Sequence, residues 1–107
     1  MKFKNMFSPI QIGPMTVKNR FVVPPMGNNF ANSDGTWSDE SVAYYGERAK
    51  GQFGLITIEA TVVHKGAKGG PKKPCLYDDN SIESLKKITD ACHAEGAKVS
   101  IQLQNAG

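Results

Sequence analysis

A chain of 107 residues, 39% of them hydrophobic and 21% charged, has room for one small globular core and no second one. Its 13 Lys plus Arg against 10 Asp plus Glu leave a net charge of +3, too small an excess to predict a nucleic-acid partner. No apolar run approaches the roughly 18 residues of a membrane helix, the start Met1-Lys2-Phe3-Lys4-Asn5 lacks the apolar core of a signal peptide, and two cysteines, Cys75 and Cys92, cannot build a disulfide framework, so a cytoplasmic chain with reduced thiols is expected.

In chain order, Pro9-Ile10-Gln11-Ile12 reads as a short strand, Gly13-Pro14 as a turn, and Thr16-Val17-Lys18 as the returning arm of a hairpin. Phe21-Val22-Val23 is an apolar strand closed by Pro24-Pro25, because proline cannot donate to a sheet ladder. Residues 25–37 form a loop rich in Gly, Asn and Ser. A helix follows. Ser38 is a good N-cap, Asp39 and Glu40 suit the positive end of its dipole, Gly51 stands at its C′ position, and Val42, Tyr45 and Ala49 share one face. Gly54 to Ala60 is nearly continuously apolar, as a strand buried on both faces of a parallel sheet would be. Thr61 to Asp79 reads as a long loop holding Lys65, Lys68, Lys72 and Lys73. A second helix spans about Ser81 to Glu95, with Asn80 and Glu83 at capping-box spacing, Ile82, Leu85, Ile88, Thr89 and Cys92 as its apolar stripe, and Gly96 as its stop. Lys98 to Leu103 is the third strand.

Strands alternating with helices imply right-handed βαβ units and a parallel sheet. Three such strands with two helices leave an apolar face uncovered and one edge unpaired, so the chain is expected to be the start of a larger α/β fold. The first strand is followed by Pro24-Pro25-Met26-Gly27-Asn28-Asn29 and not by G-x-G-x-x-G, which argues against a dinucleotide-binding sheet. A (β/α)8 barrel places its chemistry where its strands end, and polar or special residues stand at all three ends: Pro25-Met26-Gly27, Glu59-Ala60-Thr61, and residues 102–107. Gln102 carries a donor and an acceptor in an otherwise apolar strand, where an unpaired amide is costly. Glu59 reads either as a buried acid or, preferably, as an ion-pair partner. His64, His93, Cys75 and Cys92 lack metal-ligand spacing, so no metal is expected; Cys92 reads as a core residue.

The stretches Phe7-Ser8-Pro9-Ile10-Gln11-Ile12-Gly13, Lys18-Asn19-Arg20-Phe21-Val22-Val23-Pro24-Pro25-Met26, Tyr44-Tyr45-Gly46-Glu47-Arg48-Ala49, Gly54-Leu55-Ile56, Glu59-Ala60, and Gln102-Leu103 with Ala106-Gly107 stand in the order and spacing of the old yellow enzyme family. The resemblance covers essentially the whole chain and is nearest to the bacterial NADH:flavin oxidoreductase branch that includes 2,4-dienoyl-CoA reductase. It implies an N-terminal hairpin plus the first three strands of an FMN-binding (β/α)8 TIM barrel, truncated, with residues 1–107 as the N-terminal portion of a single barrel domain. By the same resemblance Pro25, Met26 and Gly27 lie against the flavin ring, with the Gly27 backbone near N4–N5 and Met26 on the ring face. Ala60 brings its backbone to the O4 edge, and Gln102 meets N3–H and O2. Relatives often carry Thr or Cys at position 27, and glycine lacks that side-chain bond. Asn105 stands where relatives usually carry His, so no role of that His transfers. The implied activity is hydride transfer from NADH or NADPH through FMN to an activated C=C bond of a small enone, enoate or enoyl-CoA type substrate.

None of the family's proton donor, substrate-oxygen pair or phosphate grip falls within these residues, so no catalytic residue is assigned. The lysine-rich loop is expected to be solvated, or in a CoA-using branch to attract substrate phosphates. The competing reading is an inactive fragment or interaction module that keeps the start of the barrel. Either way, the open third strand predicts self-association.

Overall fold

The structure, a computed structural model, describes residues 2–67 and 70–107; Lys68 of the lysine-rich loop lies outside them. Strands β1 (Ile10–Ile12) and β2 (Met15–Val17) form the expected hairpin, antiparallel with Gln11 opposite Thr16, and Gly13 takes a φ of +55° in its turn. Strand β3 (Val22–Val23) ends before the two prolines. Helix α1 (Asp39–Lys50), strand β4 (Leu55–Val62), helix α2 (Ile82–Ala94) and strand β5 (Lys98–Gln104) follow. The sheet order is β3-β4-β5, all parallel, as two βαβ units require.

Helix α1 starts as its sequence dictates: the Ser38 hydroxyl accepts the Ser41 N–H at 3.1 Å. Its end differs from expectation. Gly51 has an ordinary φ of −70°, and the left-handed position falls on Gln52 at +73°. Tertiary bonding outweighs glycine's local preference there, since the Asn19 amide donates to the Gln52 carbonyl at 2.7 Å and fixes that peptide. Helix α2 also departs at its start. The Asn80–Glu83 capping box does not form. A short 3-10 turn over Asp79–Ser81 precedes the helix, and the Asp78 carboxylate accepts the Asn80 N–H. Ser81 is buried, its hydroxyl donating to the Cys75 carbonyl at 2.6 Å. Gly96, at φ +80°, turns the chain out of the helix as expected.

Both helices cover the same face of the sheet. Val23, Ile56 and Ile58 meet Trp37, Tyr45 and Ala49 from the α1 side and Ile88 and Cys92 from α2, with Val99 and Ile101 packed at the margin. The buried face of α1 is Ser41, Tyr45 and Ala49, with Val42 half-buried beside them. Ile82, counted in the stripe of α2, is exposed. On the opposite face of the sheet Thr57 and Ser100 pair hydroxyl to hydroxyl at 2.7 Å, and Val22 is exposed. The expected long loop after residue 60 is shorter than its span suggests. Thr61 and Val62 continue β4, and residues 74–76 run beside its end, with the Val62 N–H donating to the Pro74 carbonyl and the Leu76 N–H to the Val62 carbonyl. At the other end of the sheet the Lys18 ammonium donates to the Glu95 carbonyl at the C-terminus of α2 and to the Gln52 amide oxygen, joining the hairpin to both helix ends.

Candidate functional site

The three parallel strands end side by side, and there the β4–β5 pairing changes. Ile58 faces Ile101 and Thr61 faces Leu103, so Glu59 and Ala60 together oppose the single residue Gln102. Two residues against one is a β-bulge, a device that re-aims side chains and often borders a site. It makes Ala60 and Gln102 neighbours, although nothing in the sequence marks it. Ala60 is half-buried, and Gln102 is exposed at the strand end. From β3, Pro25 is half-buried, Gly27 is exposed, and Met26 leaves 46% of its surface open despite its apolar side chain.

The turn after β3 is tied to the bulge through Glu59. This carboxylate is 1% exposed. Its Oε2 accepts the Asn28 N–H at 3.2 Å, and its Oε1 accepts the Tyr45 hydroxyl at 3.2 Å. The same tyrosine oxygen accepts the Glu59 N–H at 3.0 Å. The sequence preference for Glu59 as an ion-pair partner is thereby corrected. Among the described residues the ion pairs are Lys50–Glu47 and Lys86–Asp90, and Glu59 is held by neutral donors. Burial pushes its pKa up, opposed by the Asn28 and Tyr45 hydrogen bonds and by the charge of Lys73. Burial likewise raises the Tyr45 phenol above its ordinary range. Tyr45 lies 14 positions before Glu59 and reads in the sequence as a core residue of α1; its hydroxyl role has no local signal.

The donor set suits a flat heterocycle with alternating N–H and C=O groups. Gln102 offers both hydrogen-bonding senses beside a residue small enough to permit close approach, and Met26 offers an apolar surface. Two further amides border this end of the sheet with buried polar atoms that have no hydrogen-bond partner among the described residues, the Asn28 Nδ2 and the Gln104 Oε1. The residues present therefore fit the flavin ring that the sequence resemblance implies. Neither histidine and neither cysteine joins them; among the described residues no three His, Cys, Asp or Glu side chains cluster as a metal site, and no helix is long and apolar enough to cross a membrane.

Solved structures similar to this chain are numerous. The chain is 36% identical to the old yellow enzyme of Pichia sp. AKU4542, with a TM-score of 0.88 over 94% of this chain and 26% of that one. It is 36% identical to the old yellow enzyme of Trypanosoma cruzi, with a TM-score of 0.90 over 100% of this chain and 28% of the other. It is 34% identical to a 2-naphthoyl-CoA reductase solved with 2-naphthoyl-CoA, with a TM-score of 0.92 over 97% of this chain and 16% of that chain. The chain thus spans well under half the length of each. The sequence profile of the NADH:flavin oxidoreductase / NADH oxidase family matches residues 5–107. Profile, identity and backbone agree over nearly every residue, and the chain belongs to the NADH:flavin oxidoreductase / NADH oxidase family, whose members use FMN and a reduced nicotinamide.

Proposed function

We propose that residues 1–107 are the N-terminal portion of a barrel oxidoreductase and carry the part of its FMN site that meets the ring. The observation that carries this reading is the bulge that sets Ala60 against Gln102 at the end of the sheet, with the turn of Pro25, Met26 and Gly27 tied to the same bulge through Glu59. Bound FMN supplies the relay of hydride from NADH or NADPH to an activated C=C bond. The residues of this chain bind and orient. The Gln102 amide pairs with an N–H and a C=O of the pyrimidine edge, and a strand fixes it better than a loop could. Ala60, without a longer side chain, lets its backbone approach the ring. Met26 and Pro25 exclude water from the ring face, and the Gly27 backbone completes that contact. The substrate class is a small unsaturated carbonyl compound. A 2-naphthoyl-CoA reductase among the similar structures supports keeping enoyl-CoA thioesters beside enones and enoates.

Purification of the complete protein that carries this sequence tests the reading. The expected product is yellow, its flavin absorbance bleaches under NADH or NADPH, and the colour returns on adding an enone. A colourless protein that cannot be reconstituted with FMN overturns it.

A further inference from the structure

Lys73 leaves a backbone clamped on both sides. Pro74 is buried and its carbonyl accepts the Val62 N–H at 2.9 Å, the Cys75 N–H donates to the Gly35 carbonyl at 2.8 Å, and the Cys75 thiol donates to the Lys73 carbonyl. From there the lysine stem passes Gly70, where an added Cβ would sit 3.8 Å from its Cε. The ammonium ends at Gly27, 3.3 Å from the place a Cβ on that residue would take. Lys73 is half-buried, yet its ammonium has no hydrogen bond and no ion-pair partner among the described residues. Its charge is felt at Glu59, which lies beyond ion-pair distance. A cation that gives up part of its hydration against bare backbone, without a hydrogen-bond or ion-pair partner among the described residues, is placed for a group outside them.

We propose that Lys73 is a potential-setting residue of the flavin turn. Its ammonium stands where a side chain on residue 27 would stand and supplies the donor and the positive charge at that edge of the ring. The proposal rests on the FMN reading above. A Cβ at Gly27 would stand 3.3 Å from the ammonium and press it aside by a few tenths of an ångström, and a larger side chain by more, so the two positions act together. A cation so placed favours the electron-rich reduced form of a bound ring over the oxidised form, because the ring gains negative charge on reduction and the half-buried setting screens less than bulk water.

The test compares wild type, Lys73→Met, Lys73→Arg and Gly27→Thr in the complete protein reconstituted with FMN. Dissociation constants for oxidised FMN and midpoint potentials of the bound flavin are measured. Lys73→Met is expected to lower the preference for reduced over oxidised flavin roughly threefold to tenfold, a tenfold loss being about 30 mV for a two-electron couple. Lys73→Arg keeps the charge and restores most of the potential. Gly27→Thr displaces the ammonium and shifts the potential in the same direction, and Lys73→Met then adds little on top of it. A wild type that takes up no FMN overturns the flavin reading, and the proposal with it. A wild type that binds FMN, with an unchanged potential in Lys73→Met, overturns the proposal alone.

Discussion

Tyr45 and Glu59 exchange two hydrogen bonds across 14 positions of sequence, the tyrosine hydroxyl accepting the backbone N–H of Glu59 at 3.0 Å and donating to its carboxylate at 3.2 Å. One phenol oxygen thus joins the outer layer of the fold to the strand end that carries Ala60. Tyr45→Phe removes both bonds while keeping the ring in the core, and leaves a buried N–H and a buried carboxyl oxygen short of a partner. We expect a loss of about 1–3 kcal/mol in unfolding free energy. Urea denaturation of both proteins at one pH measures it, and equal stability would mean that these bonds do not form in solution.

The raised pKa of Glu59 fixes the sign of its pH effect. The folded state holds this proton more tightly than the unfolded chain, whose carboxyl titrates near 4.5. In the window above 4.5 and up to the raised value, the folded state binds more protons than the unfolded state, so the Glu59 contribution to stability falls as pH rises. Glu59→Gln carries no such proton. The stability difference between wild type and Glu59→Gln is therefore expected to tilt against wild type as pH climbs through that window, and a flat difference from pH 4 to pH 7 would refute the direction.

Under the proposed FMN reading, Gln102→Leu in the complete protein removes the donor and acceptor that would pair with the pyrimidine edge. Weaker FMN retention, on the order of 1–3 kcal/mol, or a shifted flavin potential is expected. Titration of apoprotein with FMN reads the first and spectroelectrochemistry the second. Unchanged values would place this amide in solvent and out of the site.

Gly54 immediately precedes β4 in a crowded place. A Cβ there would stand 2.6 Å from the Asn19 Oδ1 and 2.7 Å from a Val17 methyl. Both contacts come from the segment that closes the hairpin against the sheet, and the Asn19 side chain is pinned by its own bonds to Gln52 and Phe21. Gly54→Ala is expected to cost roughly 1–3 kcal/mol through overpacking, seen as a lower melting temperature.

Cys92 is fully buried, and burial raises its thiol to about 11. Its alkylation by iodoacetamide at pH 8 should be slow in the folded chain and reach the rate of a free thiol in urea. Fast labelling without denaturant would show that α2 lifts from the sheet.

Much of the fold is legible because periodicity and punctuation are local. Val22-Val23 before two prolines, Ser38 ahead of Asp39 and Glu40, and Gly96 after Cys92 each announce their element within a few residues. The misses are long-range. Gln52 takes the left-handed position in place of Gly51 because Asn19, 33 positions away, holds its carbonyl. Among the described residues Glu59 has no ion-pair partner, and the Tyr45 hydroxyl and the Asn28 N–H reach it instead. The candidate site residues are named by resemblance to a family, whereas the bulge opposite Gln102 is a property of pairing between two strands and is written in neither. Lys73 reads as one of several solvated lysines until Pro74 and Cys75 are seen to be clamped.

Lys18 adds a temporal consequence. Its ammonium bonds acceptors 34 and 77 positions downstream. During synthesis the hairpin is made well before the carbonyl of Glu95 that completes its contacts, 77 positions further along the chain. Closing so long a loop costs chain entropy that the neighbouring contacts must first offset. The lower end of the molecule is thus sealed late, after α2 has emerged, and nascent chains stalled before residue 95 should hold the first hairpin only loosely.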